Sequence, residues 1–307
     1  MERWSDGPRI ASVGLAQRSD NWQLPLGSCR TDGQTEIRPK WISQSLGLGL
    51  ESQFAFGIQS VRIEFSNVDG ILFGDFTSPV FKKERFPMSS VDRLIEPLRH
   101  SPQLPQAIAI LQAELEAERQ RRDRFYLDMS PDQKIEFIDG EVVLHSPARN
   151  RHLDVTGNVF QLLRTYVVIH RLGQVKSEKC LCVFPRNDYE PDVVFFGPGK
   201  SASLSPDTMK FPVPDMAVEV LSQSTKVRDR GVKFEDFASN CVAEYWILDA
   251  DTRIVEQYLL ENGEYTLALK SGSGMLKSRV VHGLAIPIEA IFDEQENLQA
   301  IRKLLGD

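Results

Sequence analysis

An acid placed within an apolar strand is the feature that most limits how this chain can fold. The segment PDMAVEVLS predicts a strand over residues 215–221. Because successive side chains of a strand point to opposite faces, Glu219 shares its face with apolar neighbours. A buried, ionised carboxylate is costly unless a basic side chain or a bound cation compensates its charge. The sequence therefore predicts that Glu219 has one of these two partners.

A second acid and a lysine are candidates for a shared site. Asp192 opens another apolar strand in YEPDVVFF, and Lys233 follows Glu219 on a predicted helix over residues 228–239. Neighbouring carboxylates repel each other unless a divalent ion holds both in the charged form. Oxygen ligands beside a lysine suit Mg²⁺ or Mn²⁺ better than zinc. Spacing alone leaves two interpretations open: a metal site served by Lys233, or a simple salt bridge between Lys233 and Glu219.

A predicted hairpin in KIEFIDGEVVLHSP supplies two further acids. If Asp139-Gly140 forms a two-residue turn, alternate residues lie on two sides, and we expect the core side to consist of Ile135, Phe137, Val142 and Leu144. The other side consists of Glu136, Ile138, Glu141 and Val143. This side presents the carboxylates of Glu136 and Glu141 to whatever covers it.

Basic side chains crowd the start of a helix predicted over residues 148–171. Arg149, Arg151 and His152 lie in its first turn, and helix N-termini attract anions such as phosphate. The alternative is that the two arginines are solvated or paired with nearby acids. His152 either orients an active-site carboxylate or is an ordinary structural histidine.

The remaining patterns predict an α/β fold of the mixed α+β kind, with a mixed sheet flanked by helices. Strands are expected near residues 173–183, 192–196, 215–221, 244–249, 253–260 and 264–270. A long amphipathic helix is predicted over residues 105–128, and a short helix after Ser130, whose side chain would cap it. One or two short helices are expected after Ile286.

Composition and periodicity also suggest how the chain is organised. Sustained helical spacing begins only after Met88, which is itself a candidate natural start. We predict a mostly unstructured leader over 1–87, a helical segment over 88–128 and a compact domain over 129–307. With 41% hydrophobic and 26% charged residues, the composition is that of a globular protein. There is no long apolar run and no secretory signal, so we expect a cytoplasmic location without membrane contact.

The charge balance limits how such a chain could bind nucleic acid. Its formal net charge is −7, and residues 1–87 carry equal numbers of acidic and basic side chains. Nonspecific binding to phosphates normally draws on a basic surface. Binding to DNA would therefore have to depend on a local patch and on metal ions.

Five segments, taken in order, resemble the Uma-two-type restriction endonuclease family, a branch of the PD-(D/E)xK nuclease superfamily. They span roughly residues 125–292 and read EFIDGEVVLHSPARNRH, YEPDVVFF, PDMAVEVLSQST, RDRGVKFEDF and EYWILD. The resemblance implies a restriction-endonuclease-like mixed sheet flanked by helices. It also implies a metal and catalytic cluster formed by the matching acids Glu136, Asp192 and Glu219, with Glu141 as a fourth acid.

The lysine of the superfamily signature is displaced in this sequence. The (D/E)xK tripeptide reads Glu219-Val220-Leu221, and in the family resembled the lysine lies on the following helix, at the position that Lys233 matches. The family's PD motif matches Pro191-Asp192. Asp215, which also follows a proline, is expected to be a strand-start residue instead.

These observations favour a metal-dependent DNA endonuclease. Asp192 and Glu219 would bind Mg²⁺ or Mn²⁺, Glu136 would act as a ligand or orient a metal-bound water, and Lys233 would stabilise the attacked phosphate. A homodimer is expected if both DNA strands are cut. One alternative is a non-catalytic nuclease fold that serves as a binding or assembly module. Another is hydrolysis of a different phosphate or a glycosidic substrate, which would not explain the lysine.

Overall fold

The computed structural model of the protein describes residues 90–130 and 132–306. The predicted leader over 1–87 lies outside the described residues. The helices are α1 (Ser90–Arg99), α2 (Leu104–Asp128), α3 (Asn150–His170), α4 (Pro198–Ser201), α5 (Lys226–Asp229), α6 (Val232–Ser239), α7 (Glu289–Phe292) and α8 (Glu294–Leu305). Within the described part of the chain, no helix is both long and apolar enough to cross a membrane.

The strands form two main sheets and one small one. In chain order they are β1 (Ile135–Ile138), β2 (Glu141–Leu144), β3 (Gln174–Ser177), β4 (Leu181–Val183), β5 (Asp188–Tyr189), β6 (Val193–Phe196), β7 (Lys210–Phe211), β8 (Met216–Val220), β9 (Glu244–Asp249), β10 (Ile254–Glu261), β11 (Glu264–Ser271), β12 (Met275–Lys277) and β13 (Ala285–Pro287). The central sheet has six strands in the order β11-β10-β9-β8-β6-β3, and the second sheet has five in the order β2-β1-β5-β4-β7. Strands β12 and β13 pair with each other. The pairs β8–β9 and β4–β7 are parallel, whereas the other pairs of the main sheets are antiparallel. The predicted mixed α/β fold class is therefore confirmed.

Strand β8 is an inner strand of the central sheet and separates two cores. Met216, Val218 and Val220 belong to the core that also contains side chains of α3, α7 and α8. Ala217 belongs to the core on the opposite face, toward which Glu219 also points. The alternation predicted for this strand is confirmed, and it places one carboxylate on an otherwise apolar face.

Aromatic side chains join the central sheet to the second sheet. Tyr189 of β5 packs edge-on against Phe237 of α6, with ring centroids 5.3 Å apart, and Phe237 packs in the same way against Tyr245 of β9 at 5.2 Å. Each such pair contributes roughly 0.5–1.5 kcal/mol beyond the area it buries. This packing brings β1, which lies beside β5, toward the face of β8 that carries Glu219.

Helix α2 agrees with the helix predicted over 105–128 and is fixed by its second half. Arg122 donates to both carboxylate oxygens of Asp188, at 2.7 and 2.5 Å, and Arg186 donates to both oxygens of Glu118 at 2.9 Å. Phe125 is buried against Phe137 of β1. The end of α2 therefore supports the hairpin that carries Glu136.

Two predicted elements are interrupted where the chain changes direction. The strand expected over 173–183 is divided into β3 and β4, because Glu178 and Lys179 take up left-handed backbone conformations and the chain passes from one sheet to the other. The helix expected over 228–239 is divided at Gly231, where a Cβ atom would meet the carbonyl oxygen of Val227 at 2.8 Å.

The predicted hairpin register is confirmed, but the prediction that four side chains lie in the core is wrong for two of them. Glu136 pairs with Val143, and Asp139 and Gly140 form the turn with positive φ angles of 51° and 82°. Val142 and Leu144, expected in the core, are 56% and 64% exposed. The reason is that β2 is the edge strand of the second sheet, so little packs against it.

The helix predicted after Ser130 is also wrong. The Ser130 hydroxyl does accept a hydrogen bond from the backbone N–H of Asp132, at 3.3 Å. Residues 132–134, however, form a turn that leads directly into β1. By contrast, the helices expected after Ile286 are present as α7 and α8, and Asp293 caps the second.

Candidate active site

Four sequence-predicted residues come together from four separate elements. Glu136 lies on β1, Asp192 directly precedes β6, Glu219 lies on β8 and Lys233 lies in the first turn of α6. Val193 of β6 pairs with Val218 of β8, so the antiparallel register brings Asp192 beside Glu219. Each of the four residues is at most 4% exposed. We call these four the site cluster.

Lys233 is the centre of the cluster. Its Nζ atom donates to Glu219 Oε1 at 2.7 Å and lies 2.9 Å from Glu136 Oε1 and 3.6 Å from Asp229 Oδ1. Burial alone would lower the pKa of Lys233, but the charges of Glu136 and Glu219 outweigh it and raise the pKa well above its ordinary value. The ammonium group therefore stays charged and holds carboxylates from both sheets.

Glu136 is held as a carboxylate by three groups. Besides Lys233, the backbone N–H of Glu190 donates to Oε1 at 2.9 Å, and His145 Nε2 lies 2.9 Å from Oε2. Burial opposes ionisation, but Lys233 and His145 lower the pKa of Glu136 to about 2. Glu190 is itself a buried acid beside the cluster, and burial raises its pKa to about 7.

Asp192 has partners on both of its carboxylate oxygens. The backbone N–H of Val220 donates to Oδ2 at 2.8 Å, whereas Oδ1 accepts from Lys134 Nζ at 2.8 Å and lies 3.4 Å from His152 Nε2. Burial works against ionisation, yet His152 and Lys134 hold the pKa of Asp192 well below its ordinary value. Asp192 is therefore negatively charged at neutral pH.

Burial opposes the ionisation of two further acids of this region. Burial, together with the charges of Asp229, Asp192 and Glu136, raises the pKa of Glu219 well above its ordinary value despite the opposing charge of Lys233. Burial raises the pKa of Asp229 as well. Both carboxylate oxygens of Asp229 are buried without a hydrogen-bond partner among the described residues. Four carboxylates thus meet the ammonium groups of Lys134 and Lys233, which leaves an excess of negative charge if all four are ionised.

Comparison with known proteins supports the family that the five segments suggest. Residues 122–289, more than half of the chain, match the family described as "Uma2: Putative restriction endonuclease". The chain belongs to the Uma2 family. The Uma2 match contains all four residues of the site cluster.

The chain is also similar to a solved structure. A protein described as a "putative nuclease belonging to DUF820", from Anabaena variabilis ATCC 29413, aligns with a TM-score of 0.48 and 17% sequence identity. The alignment covers 55% of this Uma2 chain and 96% of the other. No curated protein matches the sequence.

The accessory residues predicted for this Uma2 chain have different outcomes. His152, in the first turn of α3, contacts Asp192, as it must if it orients an active-site carboxylate. Arg151 is exposed and pairs with Asp251, which favours the alternative that it is paired with a nearby acid. Arg149 and Glu141 are exposed, and among the described residues no hydrogen bond or ion pair joins either side chain to the cluster. Asp215 accepts from the backbone N–H of Gly197 and pairs with Lys200, as expected for a strand-start residue.

Sequence reasoning missed three side chains of the site. Lys134 and His145 face each other one pair beyond the hairpin, joined by a backbone hydrogen bond of 3.1 Å from His145 to Lys134. Extending the predicted register by one pair would have placed both on the side of Glu136. Asp229 precedes Lys233 by four residues within the helix predicted over 228–239, a spacing at which two side chains on one helix can meet. In the structure they meet across the break at Gly231.

The donor set fits a hard divalent cation in its chemistry. Its oxygen donors are those that Mg²⁺ and Mn²⁺ prefer, and both oxygens of Asp229 are buried without a hydrogen bond among the described residues. A bound divalent cation would favour the ionised form of all four carboxylates. In residues 90–130 and 132–306, no three His, Cys, Asp or Glu side chains are already grouped to hold a metal ion. Instead, the two lysine ammonium groups hold the carboxylates of this Uma2 protein together.

Proposed function

We propose that this Uma2-family chain is a divalent-metal-dependent endonuclease that hydrolyses DNA phosphodiester bonds at the site cluster. The observation that carries the proposal is the convergence, in a single buried cluster, of one lysine and three carboxylates that lie on or directly before three separate strands. Membership of a restriction endonuclease family supports nuclease activity. Perturbed ionisable groups that converge in this way are typical of functional sites.

Asp192 and Glu219, with Glu136 as a third candidate, would hold Mg²⁺ or Mn²⁺. When bound, such an ion neutralises phosphate charge and lowers the pKa of a coordinated water. The chain's own contacts support this assignment, because the Val220 N–H and His152 fix the orientation of Asp192. Groups that orient a metal ligand in this way strongly affect metal affinity.

Glu136 and Lys233 have complementary positioning roles in this proposal. With a pKa near 2, Glu136 is a weak base at neutral pH, but it can accept a hydrogen bond and so orient the attacking water. Lys233 keeps Glu136 and Glu219 together from opposite sheets. The sequence-based role of Lys233, stabilisation of the attacked phosphate, would require its ammonium to leave both carboxylates, which lie 2.7 and 2.9 Å away. We therefore assign Lys233 to the support of the carboxylates.

Two further features belong to this proposal. Cutting both strands of a duplex requires two sites or two successive events, so we propose that two copies act together on DNA. We keep the cytoplasm, predicted from the sequence, as the compartment. Light scattering with and without a DNA duplex would test the dimer, and a mass corresponding to one chain under both conditions would contradict it.

Cleavage assays test the function itself. Supercoiled plasmid, linear duplex and single-stranded DNA would be incubated with the wild-type protein and Mg²⁺, Mn²⁺ or EDTA. We expect metal-dependent cleavage that falls on the order of 100-fold or more in Asp192→Asn and Glu219→Gln. Asp215→Asn, which changes an acid at the other end of β8, is the matched control and should cleave like the wild type. A folded wild-type protein that binds DNA without cutting any of these substrates would favour the non-catalytic alternative and overturn the proposal.

A further inference from the structure

The two lysines of the site differ in how they are enclosed. The Lys233 side chain is 2% exposed, and its ammonium lies within 2.9 Å of two carboxylates. The Lys134 side chain is 23% exposed and donates to one carboxylate oxygen, Asp192 Oδ1, at 2.8 Å. Lys233 therefore belongs to the interior of the cluster, whereas Lys134 lies where solvent reaches it.

Lys134 is attached to a rigid support by a flexible side chain. Lys134 directly precedes β1, and its backbone carbonyl accepts a hydrogen bond from the backbone N–H of His145 across the hairpin. The four-carbon side chain of a lysine can take up many rotamers from such a fixed point. The ammonium of Lys134 can therefore move while the hairpin that carries Glu136 stays in place.

Asp192 Oδ1 is the oxygen at which a cation and Lys134 would meet. The partners of Oδ1 are side chains, Lys134 Nζ at 2.8 Å and His152 Nε2 at 3.4 Å, whereas Oδ2 accepts from the backbone N–H of Val220, which is fixed in β8. We therefore take Oδ1, whose side-chain partners can move, as the oxygen at which a divalent cation binds Asp192. Two cations at one carboxylate oxygen repel each other strongly in a partly buried site.

We propose that Lys134 is an exchangeable counter-ion: its ammonium leaves Asp192 Oδ1 when a divalent cation binds there, and then contacts the substrate phosphate. The second half of this proposal rests on the proposed nuclease function. Lysine binds phosphate readily as a point charge, and the partial exposure of Lys134 places that charge on the solvent side of the cluster. Lys134 would then be the lysine that touches the substrate, and Lys233 would remain a positioning residue.

The exchange predicts opposite effects on metal binding and on cleavage. In Lys134→Met, the cation no longer competes with an ammonium, so we expect Mn²⁺ titrated calorimetrically without DNA to bind roughly 10-fold more tightly. At saturating metal, we expect DNA cleavage to fall on the order of 100-fold because the phosphate loses its contact. A purely structural lysine would weaken both or change neither.

Matched variants make the test decisive. Lys200→Met removes a comparable ion pair, Lys200 Nζ to Asp215 Oδ1 at 2.7 Å with 35% exposure of the lysine side chain, and should change neither quantity. Lys134→Arg keeps the competing charge, so its Mn²⁺ affinity should stay within about 3-fold of wild type. Lys134→Gln serves in place of the methionine variant if that variant does not fold.

Each part of the proposal can fail separately. Unchanged or weaker Mn²⁺ binding by the neutral variants would overturn the exchange. Tighter Mn²⁺ binding with wild-type cleavage would overturn the phosphate contact. If the wild type cuts no DNA, the nuclease function and the phosphate contact fail together, while the calorimetric titration still decides whether Lys134 competes with the metal.

Discussion

Replacing Lys233 with methionine is the perturbation whose cost follows most directly from the structure. The variant keeps an apolar stem of similar length but leaves Glu219 and Glu136 without the ammonium that lies 2.7 and 2.9 Å from them. Removing one partner of a buried ion pair costs about 3–5 kcal/mol, because the remaining charge stays buried. For a folded region of about 200 residues, this loss lowers the melting temperature by roughly 6–20 °C.

The assay is reversible thermal or urea unfolding at neutral pH in the presence of EDTA. Lys200→Met removes a partly exposed ion pair and should cost at most about 1 kcal/mol, so it controls for the loss of a lysine as such. Replacing EDTA with Mn²⁺ should return part of the stability to Lys233→Met, since a ligand that binds the folded state stabilises it. If Lys233→Met unfolds within about 1 kcal/mol of the wild type, the ammonium does not hold the carboxylates together and this reasoning is refuted.

Three other acids give distinct expected outcomes. Glu244 accepts five hydrogen bonds, from Trp246, Gln257, Ser278 and the backbone N–H groups of residues 279 and 280. Glu244→Gln should therefore lower the free energy of unfolding by about 2–4 kcal/mol, and a loss below about 1 kcal/mol would contradict this. The pKa of Glu256 is lowered to about 2 because its contacts with Arg230, Lys270 and Tyr258 outweigh the effect of burial. The contribution of Glu256 to folding stability is therefore present above its ordinary pKa of 4.5 and is lost as the pH falls toward 2. Because the side chains of Arg230 and Lys270 are exposed, Glu256→Gln should lower the free energy of unfolding by only about 1–2 kcal/mol at neutral pH, and by nothing near pH 2. A difference in urea unfolding that does not change with pH would contradict this. Burial raises the pKa of Asp229 despite its ion pair with Lys233, so Asp229→Asn, which removes the charge, should stabilise the metal-free protein by about 1 kcal/mol. A destabilised variant would show that the charge is needed.

Local periodicity was enough to predict the parts of the fold on which the site depends. The alternation in β8 placed Glu219 on the face opposite Met216, Val218 and Val220, and the Asp139-Gly140 turn fixed the hairpin register. Both predictions rest on rules that act within a few residues of one another. The salt bridge between Lys233 and Glu219 was one of two interpretations of the sequence, and it is present.

The remaining features depend on which elements become neighbours. Val142 and Leu144 are exposed because β2 is an edge strand, and nothing in the hairpin sequence reveals its place in the sheet. Lys134 meets Asp192 only because the second sheet packs close to the ends of β6 and β8, whereas His145 meets Glu136 within the hairpin itself. The contact between Lys134 and Asp192 joins residues 58 positions apart and cannot be found from periodicity.

Diffraction from crystals grown with Mn²⁺ tests the central claim most directly, because the anomalous signal locates the ion independently of any activity. We expect one strong peak within about 2.0–2.6 Å of Asp192 Oδ1 and of a Glu219 oxygen, with Lys134 displaced from Asp192 and Lys233 still bonded to Glu136. Crystals of Asp192→Asn should lack this peak. Fully bound Mn²⁺ at a different place, with the ion pairs of both lysines unchanged, would contradict the assignment of a metal-dependent site to these carboxylates.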